Sequence, residues 1–305
     1  MAKFGIVCSG GLAKGAYQLG FLEAMQKYLN KEDISGISAS SIGIYNAYFY
    51  CANKMEEGKK LWLEYNAKNR MALFKSIVKD GFIKKSTNEL ILPEDKLDIP
   101  IYISSTTIFP WFKHRYYKIY GNYKKYWKRL FISSVGFPIL TGFPKFSNKK
   151  LNIDGGVIDN IPVFPLLVDD CDVIIVIHFD PRYKLKKKWS AFNKIILEID
   201  LSVCNSFLKQ SFNFKKEILN EMFHSAYQYT EKLFERLFKN GKNDLDYIRK
   251  ESNLIMSEER IKRKKYHSLD MFVTFLNKLT RTIRKNPSKY IIDLPVKRDK
   301  DKKES

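Results

Sequence analysis

The chain is poor in cysteine, and no two cysteines form a C-x-x-C pair. Its four cysteines, Cys8, Cys51, Cys171 and Cys204, stand far apart, which excludes a zinc-finger pattern and a dense disulfide framework. Free buried thiols are the expectation. Long apolar runs are missing too, and nothing approaches the ~18 uninterrupted apolar residues of a membrane span. The apolar run after Lys3 meets a glycine pair within a few residues and is too short for the core of a signal peptide. The phosphate-binding patterns G-x-x-x-x-G-K-[ST] and G-x-G-x-x-G are absent, and no internal repeat is visible. These absences point to a cytoplasmic protein, peripheral at most on the inner face of a membrane.

What the chain has is core-forming material and positive charge. Of its 305 residues 45% are apolar and 14% aromatic, enough for a sizeable core. The formal net charge is +21, of which +14 falls in residues 181–305 and +7 in the first 180. Such an excess suggests an anionic partner: a membrane surface, nucleic acid or an acidic protein.

Hydrophobic periodicity gives the organisation. "KFGIVCSG" reads as a short buried strand ending in glycines, and "AYQLGFLEAMQKYLN" as a helix, with Ala16, Leu19, Leu22, Met25 and Leu29 on its apolar face. "ISGIS" is a second strand, and residues 42–65 are helical in two pieces. Strand–helix–strand–helix predicts an α/β fold with a parallel sheet. Further along, "LPEDKLDIP" reads as a loop, "IPIYISSTTI" and "HRYYKIYG" as strands, and "YKKYWKRLFISSVG" as a helix. "GFPILTGFPKFSNKK" reads as a proline- and glycine-rich loop and "CDVIIVIHFDP" as a buried central strand. Beyond residue 190 helices are expected, over 191–220, 221–239 and 268–285. This gives a core over residues 1–190 and a basic helical extension over 191–305, partly packed on the core and frayed from about 297.

Three segments carry chemistry. In "ISASSIGIYNAYF" Ser41 and Gly43 fit the right half of G-x-S-x-G, with Ala39 at the leading glycine. That pattern is a nucleophile elbow, a serine lifted above the sheet on a tight strand-to-helix turn, with small residues two before and two after it. Ser40 lacks small residues at both flanks, and Ser38 has them but falls inside the strand. A serine-rich turn that merely caps the helix is the competing reading. "SGGLAKGAY" is a glycine-rich turn between a strand and a helix. The backbone N–H groups of such a turn can converge on an oxyanion, with Lys14 adding positive potential. The plain alternative is a tight turn that needs glycine. In "DGGVIDNIP" Asp154 opens a loop, and its carboxylate can take a proton from a serine within hydrogen-bond reach. Alone, Asp-Gly-Gly is a turn.

Together the three segments resemble the patatin-like phospholipase family. Its pattern is a G-G-x-[KR]-G oxyanion loop, then G-x-S-x-G, then D-G-[GA]. Gly10, Gly11, Lys14 and Gly15 match the first, Ser41 and Gly43 the second, and Asp154, Gly155 and Gly156 the third. The likeness spans about residues 3–180, with Asn160 and Pro162 in agreeing context. Ala39 and Ser9 depart from the glycines of the pattern. The resemblance implies a three-layer patatin-like core and a Ser–Asp dyad, Ser41 and Asp154. It also implies an oxyanion hole over Gly10, Gly11, Leu12, Lys14 and Gly15, with Ala39, Gly43, Gly155 and Gly156 in support. Such a dyad hydrolyses acyl esters of phospholipids or related lipids through an acyl-enzyme, and needs neither metal nor organic cofactor. Of the four histidines only His178, at a strand end, is a candidate third member.

The partners expected are a lipid substrate and an anionic membrane surface. The aromatic and basic run 111–129 reads first as a strand and a helix, each with a core face and a solvated face; of its functional readings it suits a lipid interface, with nucleic-acid stacking less favoured. "RIKRKK" at 260–265 reads as a solvated charge run or as part of the membrane contact. Two alternatives stay open: a non-catalytic protein of the same fold that binds anionic membrane or nucleic acid, and an acyltransferase or small-ester esterase.

Overall fold

The computed structural model describes residues 1–66, 82–109, 113–135, 145–147, 150–181, 183–204, 213–265 and 291–293. Nine strands among them form one mixed sheet, in the order β5-β6-β3-β2-β1-β7-β8, with β4 on β3 and β9 on β4. Its centre is parallel. β1 (Phe4–Cys8) lies between β2 (Ile34–Ala39) and β7 (Val173–His178), and β8 (Ile195–Asp200) continues the sheet beyond β7. All six residues of β7 are buried, as an apolar β-branched run in the middle of a parallel sheet must be. Helices cover both faces. α1 (Gly15–Met25), α2 (Gly43–Cys51) and α3 (Met55–Leu63) share the larger core with β1, β2 and the later helix α7 (Lys216–Leu237). α4 (Phe82–Leu90) and α5 (Tyr126–Val135) pack against α2. α6 (Phe164–Leu167) covers the other face through a second apolar cluster, and α8 (Leu245–Lys265) packs on β8. Among the described residues no helix is long and apolar enough to cross a membrane.

The long strand β3 (Lys96–Phe109) explains how the sheet builds a site. One edge pairs with antiparallel β4 (Lys113–Asn122). The other edge pairs first with β2, in parallel, and then with β6 (Lys150–Asp154), antiparallel. Ala39, the last residue of β2, lies opposite Ile103, and Asp154, the last of β6, lies opposite Ser105. The two strands therefore run toward each other along β3, and their ends meet about 7 Å apart at the usual rise per residue.

Several elements differ from the sequence reading. "LPEDKLDIP" is a loop only to Asp95, because Lys96–Pro100 already belongs to β3. The proline- and glycine-rich segment contains β5 (Lys145–Ser147), which pairs with β6; residues 136–144 lie outside the described residues. Asp154 ends a strand rather than opening a loop. The helix read over 191–220 is replaced by strand at Ile195–Asp200. "IILEID" is short and β-branched and is buried beside β7 as β8; residues 205–212 lie outside the described residues, and α7 runs from Lys216. A short apolar run of this kind fits either period, and its place in a parallel sheet decides it. Residues 213–239 hold one long helix, α7, rather than a break near 220. Residues 268–285 and the tail from 297 lie outside the described residues, and β9 (Ile291–Asp293) pairs with β4.

Candidate active site

The sheet reverses its strand order at β1: the chain goes next to β2 on one side and later to β7 on the other. In open α/β sheets the crevice at such a switch point, beyond the carboxyl ends of the strands, is where ligands bind. The glycine-rich segment leaves β1 at that point. Ser9 N–H donates to Ile177 O of β7 at 3.1 Å, which carries the β1–β7 pairing one residue past the strand. Asn160 then clamps the turn. Gly10 N–H donates to Asn160 O at 3.3 Å and to Asn160 Oδ1 at 3.1 Å, and Asn160 Nδ2 donates to Gly10 O at 3.1 Å. A Cβ at residue 10 would lie 2.4 Å from Asn160 Oδ1 and 2.7 Å from Ser41 Cβ, so only glycine fits between them. Gly10 thus spends its N–H on the clamp. Among the described residues, the N–H groups of Gly11 and Leu12 make no backbone hydrogen bond. Leu12 sits at φ 53°, and Lys14, which ends the short 3₁₀ turn, is buried and donates its N–H to Gly11 O at 3.1 Å.

The three serines of the second segment differ. Ser38 and Ser40 are fully buried, and among the described residues neither hydroxyl has a hydrogen-bond partner. Ser41 is half-buried and stands between β2 and α2 at φ 52°. A left-handed backbone at a non-glycine residue costs about 1–3 kcal/mol and persists where the surroundings enforce it. Of the four non-glycine residues at positive φ among the described residues, two are asparagines, which tolerate it; the other two are Leu12 and Ser41. Both strained residues lie in this crevice. The surroundings that hold Ser41 are visible. Ser40 N–H donates to Cys8 O at 3.0 Å, Gly43 N–H to Ser40 O and Ile44 N–H to Ser41 O, both at 3.0 Å. A Cβ at Gly43 would lie 2.5 Å from Cys8 O, so glycine there lets α2 start against the end of β1.

Asp154 completes the group. It is buried, and its Oδ1 accepts Gly156 N–H at 2.7 Å. Oδ2 is buried with no hydrogen bond of good geometry, while the Ser41 hydroxyl is close enough to hold the carboxyl's pKa down. Burial outweighs both hydrogen bonds and pushes the carboxyl up from 3.8 to about 6. Gly155 packs under the Ser104 carbonyl, and Gly156 lies against Asn160 and Ser40. Sequence reasoning thus named the residues that meet here. Ala39 is the last residue of β2, before the turn, and Gly15 starts α1 against Trp62.

His178 is not a third member. Its Nδ1 accepts Asp180 N–H at 3.1 Å, which puts the proton on Nε2, 3.2 Å from Glu198 Oε1. Neither ring nitrogen is left to take a proton from serine. The sequence reading missed the polar network behind the glycine turn. Trp62 Nε1 donates to Asn46 Oδ1 at 2.9 Å. Asn46 Nδ2 donates to Gly15 O at 2.9 Å and to Gln18 Oε1 at 3.1 Å, and Gln18 Nε2 donates to Ser9 O at 3.0 Å. Its signal was present: Gln18 interrupts the apolar run from Ala16 to Leu22 in α1, and Asn46 interrupts α2. Among the described residues no group of His, Cys, Asp and Glu is arranged to hold a metal ion.

Residues 6–167 match the family model described as patatin-like phospholipase. The span includes all three segments. Among solved structures, VipD from Legionella pneumophila aligns with a TM-score of 0.39 and 13% identity, over 95% of this chain and 81% of that chain. No curated protein matches the sequence.

Proposed function

Given that the chain belongs to the patatin-like phospholipase family, a family of lipid hydrolases, we propose that it is a serine lipid acyl hydrolase acting on acyl esters of phospholipids or related lipids. The observation that carries this is the meeting of Ser41, held at positive φ at the mouth of the crevice, with a buried carboxyl that belongs to a strand arriving from the opposite direction. Asp154 takes the Ser41 proton as Oγ attacks the ester carbonyl. The N–H groups of Gly11 and Leu12 face the oxyanion that forms, with Gly10 as the anchor of the turn. Asp154 returns the proton to the departing alkoxide and leaves an acyl-Ser41. Water then enters, gives its proton to Asp154, and releases the fatty acid as Ser41 recovers its proton. An ordinary carboxylate near pH 4 is a weak base. With its pKa raised to about 6, Asp154 is ionised at neutral pH and still basic enough to pull on a hydroxyl.

The test is product analysis. Wild-type protein incubated with phospholipid vesicles should release free fatty acid and a lysolipid, and Ser41→Ala should release neither. Fatty-acid release by the Ser41→Ala protein at the wild-type rate would refute the reading.

A further inference from the structure

From Ile99 to Ile153 the chain contains no Asp or Glu, yet it holds ten Lys and Arg. This stretch is not a tail. Where it is described it forms most of β3, all of β4 and β5, α5, and β6 up to the residue before Asp154. Four of its cations stand at α5, which packs on α4. Lys124, Lys125 and Arg129 around the first turn of α5 are exposed and Lys128 is half-buried; α4 adds exposed Lys84 and Lys85, with Glu89 as its exposed acid. Lys128 Nζ donates to Asn88 O of α4 at 3.1 Å, which joins the two outward faces.

Among the described residues none of these six cations pairs with a carboxylate. Cations elsewhere in the fold do: Lys54 with Asp95, Lys59 with Glu23, Lys27 with Glu231, Lys242 with Asp33, and Arg236 with Glu251 and Glu258. The α5 arrangement is also unfavourable for the isolated protein. Lys124 and Lys128, and Lys125 and Arg129, stand four apart, and the first turn has no acid to oppose the positive end of the helix dipole. An anionic surface laid against this face relieves all of that repulsion together.

The face is also joined to the candidate site. Phe131 of α5 packs edge-on against Tyr45 and Tyr48 of α2, the helix that starts at the Ser41 turn, and α5 packs on β6, the strand that ends in Asp154. We propose that the α4–α5 face is the surface by which this protein docks on a bilayer of anionic lipid. The proposal rests on the lipid-hydrolase reading for its purpose but not for its measurement. A bilayer fits better than single-stranded nucleic acid because single-strand binding needs exposed rings for base stacking. Tyr117, Tyr123 and Tyr126 beside the face are instead partly buried on the core, and Tyr120 is the exposed aromatic of β4.

The experiment uses the full chain with Ser41→Ala, so that vesicles stay intact. Sedimentation compares neutral phosphatidylcholine vesicles with vesicles that also contain phosphatidylserine, across a salt series. Preferential binding to the anionic vesicles, released by salt, is expected. Replacing Lys124, Lys125, Lys128 and Arg129 by Gln should weaken it ~10²–10³-fold, at about fivefold per cation. Replacing Lys262, Arg263, Lys264 and Lys265 by Gln removes the same charge at the end of α8 and should weaken it far less. Equal losses in the two variants, a loss in the α8 variant alone, or equal binding to neutral and anionic vesicles would overturn the assignment. So would salt-sensitive retention of RNA with no binding to vesicles. The two readings fail separately. With Ser41 restored, the α5 variant should hydrolyse a soluble short-chain ester at the wild-type rate. Vesicle binding through α5 without any ester hydrolysis would remove the enzyme and leave the docking face.

Discussion

The crevice at the end of β1 and the face formed by α4 and α5 handle polar atoms in opposite ways. In the crevice they are buried and mostly paired: Asn160 with Gly10, Gln18 with Ser9, Asn46 with Gly15, and Gly156 with one oxygen of Asp154. On the face most charges are in solvent and positive, with Glu89 of α4 the exception, and the cations have no carboxylate partners among the described residues. A buried polar group is costly unless it is satisfied, so the few that are not, such as Asp154 Oδ2, stand out as reserved for something else. A surface cation costs little, so only its company is informative. The difference teaches where to look for each activity: chemistry where burial and strain coincide, docking where like charges are kept together.

Substitutions separate the two regions by what they do to a soluble ester. The largest effect is expected at Asp154. Asp154→Asn keeps the shape and removes the base, and turnover should fall by ~10²–10⁴. The same variant should gain stability at neutral pH. The carboxyl's pKa is raised in the fold, so the folded state binds its proton more tightly than the unfolded chain does. Asp154 therefore favours folding below about pH 4, and this contribution is lost as pH rises through about 6. Above that the ionised buried carboxyl costs about 3 kcal/mol relative to acid conditions. Thermal melts of wild type and Asp154→Asn should differ at pH 8, with the variant higher, and converge near pH 4. The kcat of wild type should rise with pH and level off above about 6. A flat profile, or a variant that melts lower at pH 8, would break the account of Asp154.

Next comes the glycine turn. A Cβ at Gly11 would lie 2.5 Å from Cδ2 of Phe179, so Gly11→Ala must move either the ring or the loop. A displaced N–H donor costs ~10²–10³ in kcat. Wild-type turnover of this variant would mean that the loop serves only as a turn. The smallest effect on catalysis is expected at His178. His178→Ala should leave turnover per folded molecule within a few-fold while lowering stability by about 1–3 kcal/mol, because it removes the hydrogen bond between the ring and Glu198 inside the sheet. A His178 variant as inactive as Asp154→Asn, with its fold intact, would move the chemistry away from the dyad.

The sequence made the local turns of the candidate site more legible than the strand register around them. The Gly10–Gly11 turn, the small residues flanking Ser41 and the Asp154-Gly-Gly turn are local signals, because each answers a steric demand of its own few residues. Ile195–Asp200 was misread because its apolar run fits a helix or a strand until β7 lies beside it. The role of β3 as the common edge for β2 and β6 was not legible at all, since register between strands far apart in the chain leaves no local trace. Asn46 and Gln18 lay between these cases: their polarity was visible, but their target, the backbone of the glycine turn, was not.

The central claim is that Ser41, and not Ser38 or Ser40, is the nucleophile. A fluorophosphonate serine-hydrolase probe followed by peptide mass spectrometry tests it most directly. The adduct should map to Ser41, vanish in Ser41→Ala and persist in Ser38→Ala and Ser40→Ala, with all variants folded. An adduct on Ser38 or Ser40, or full labelling of Ser41→Ala, would contradict the account.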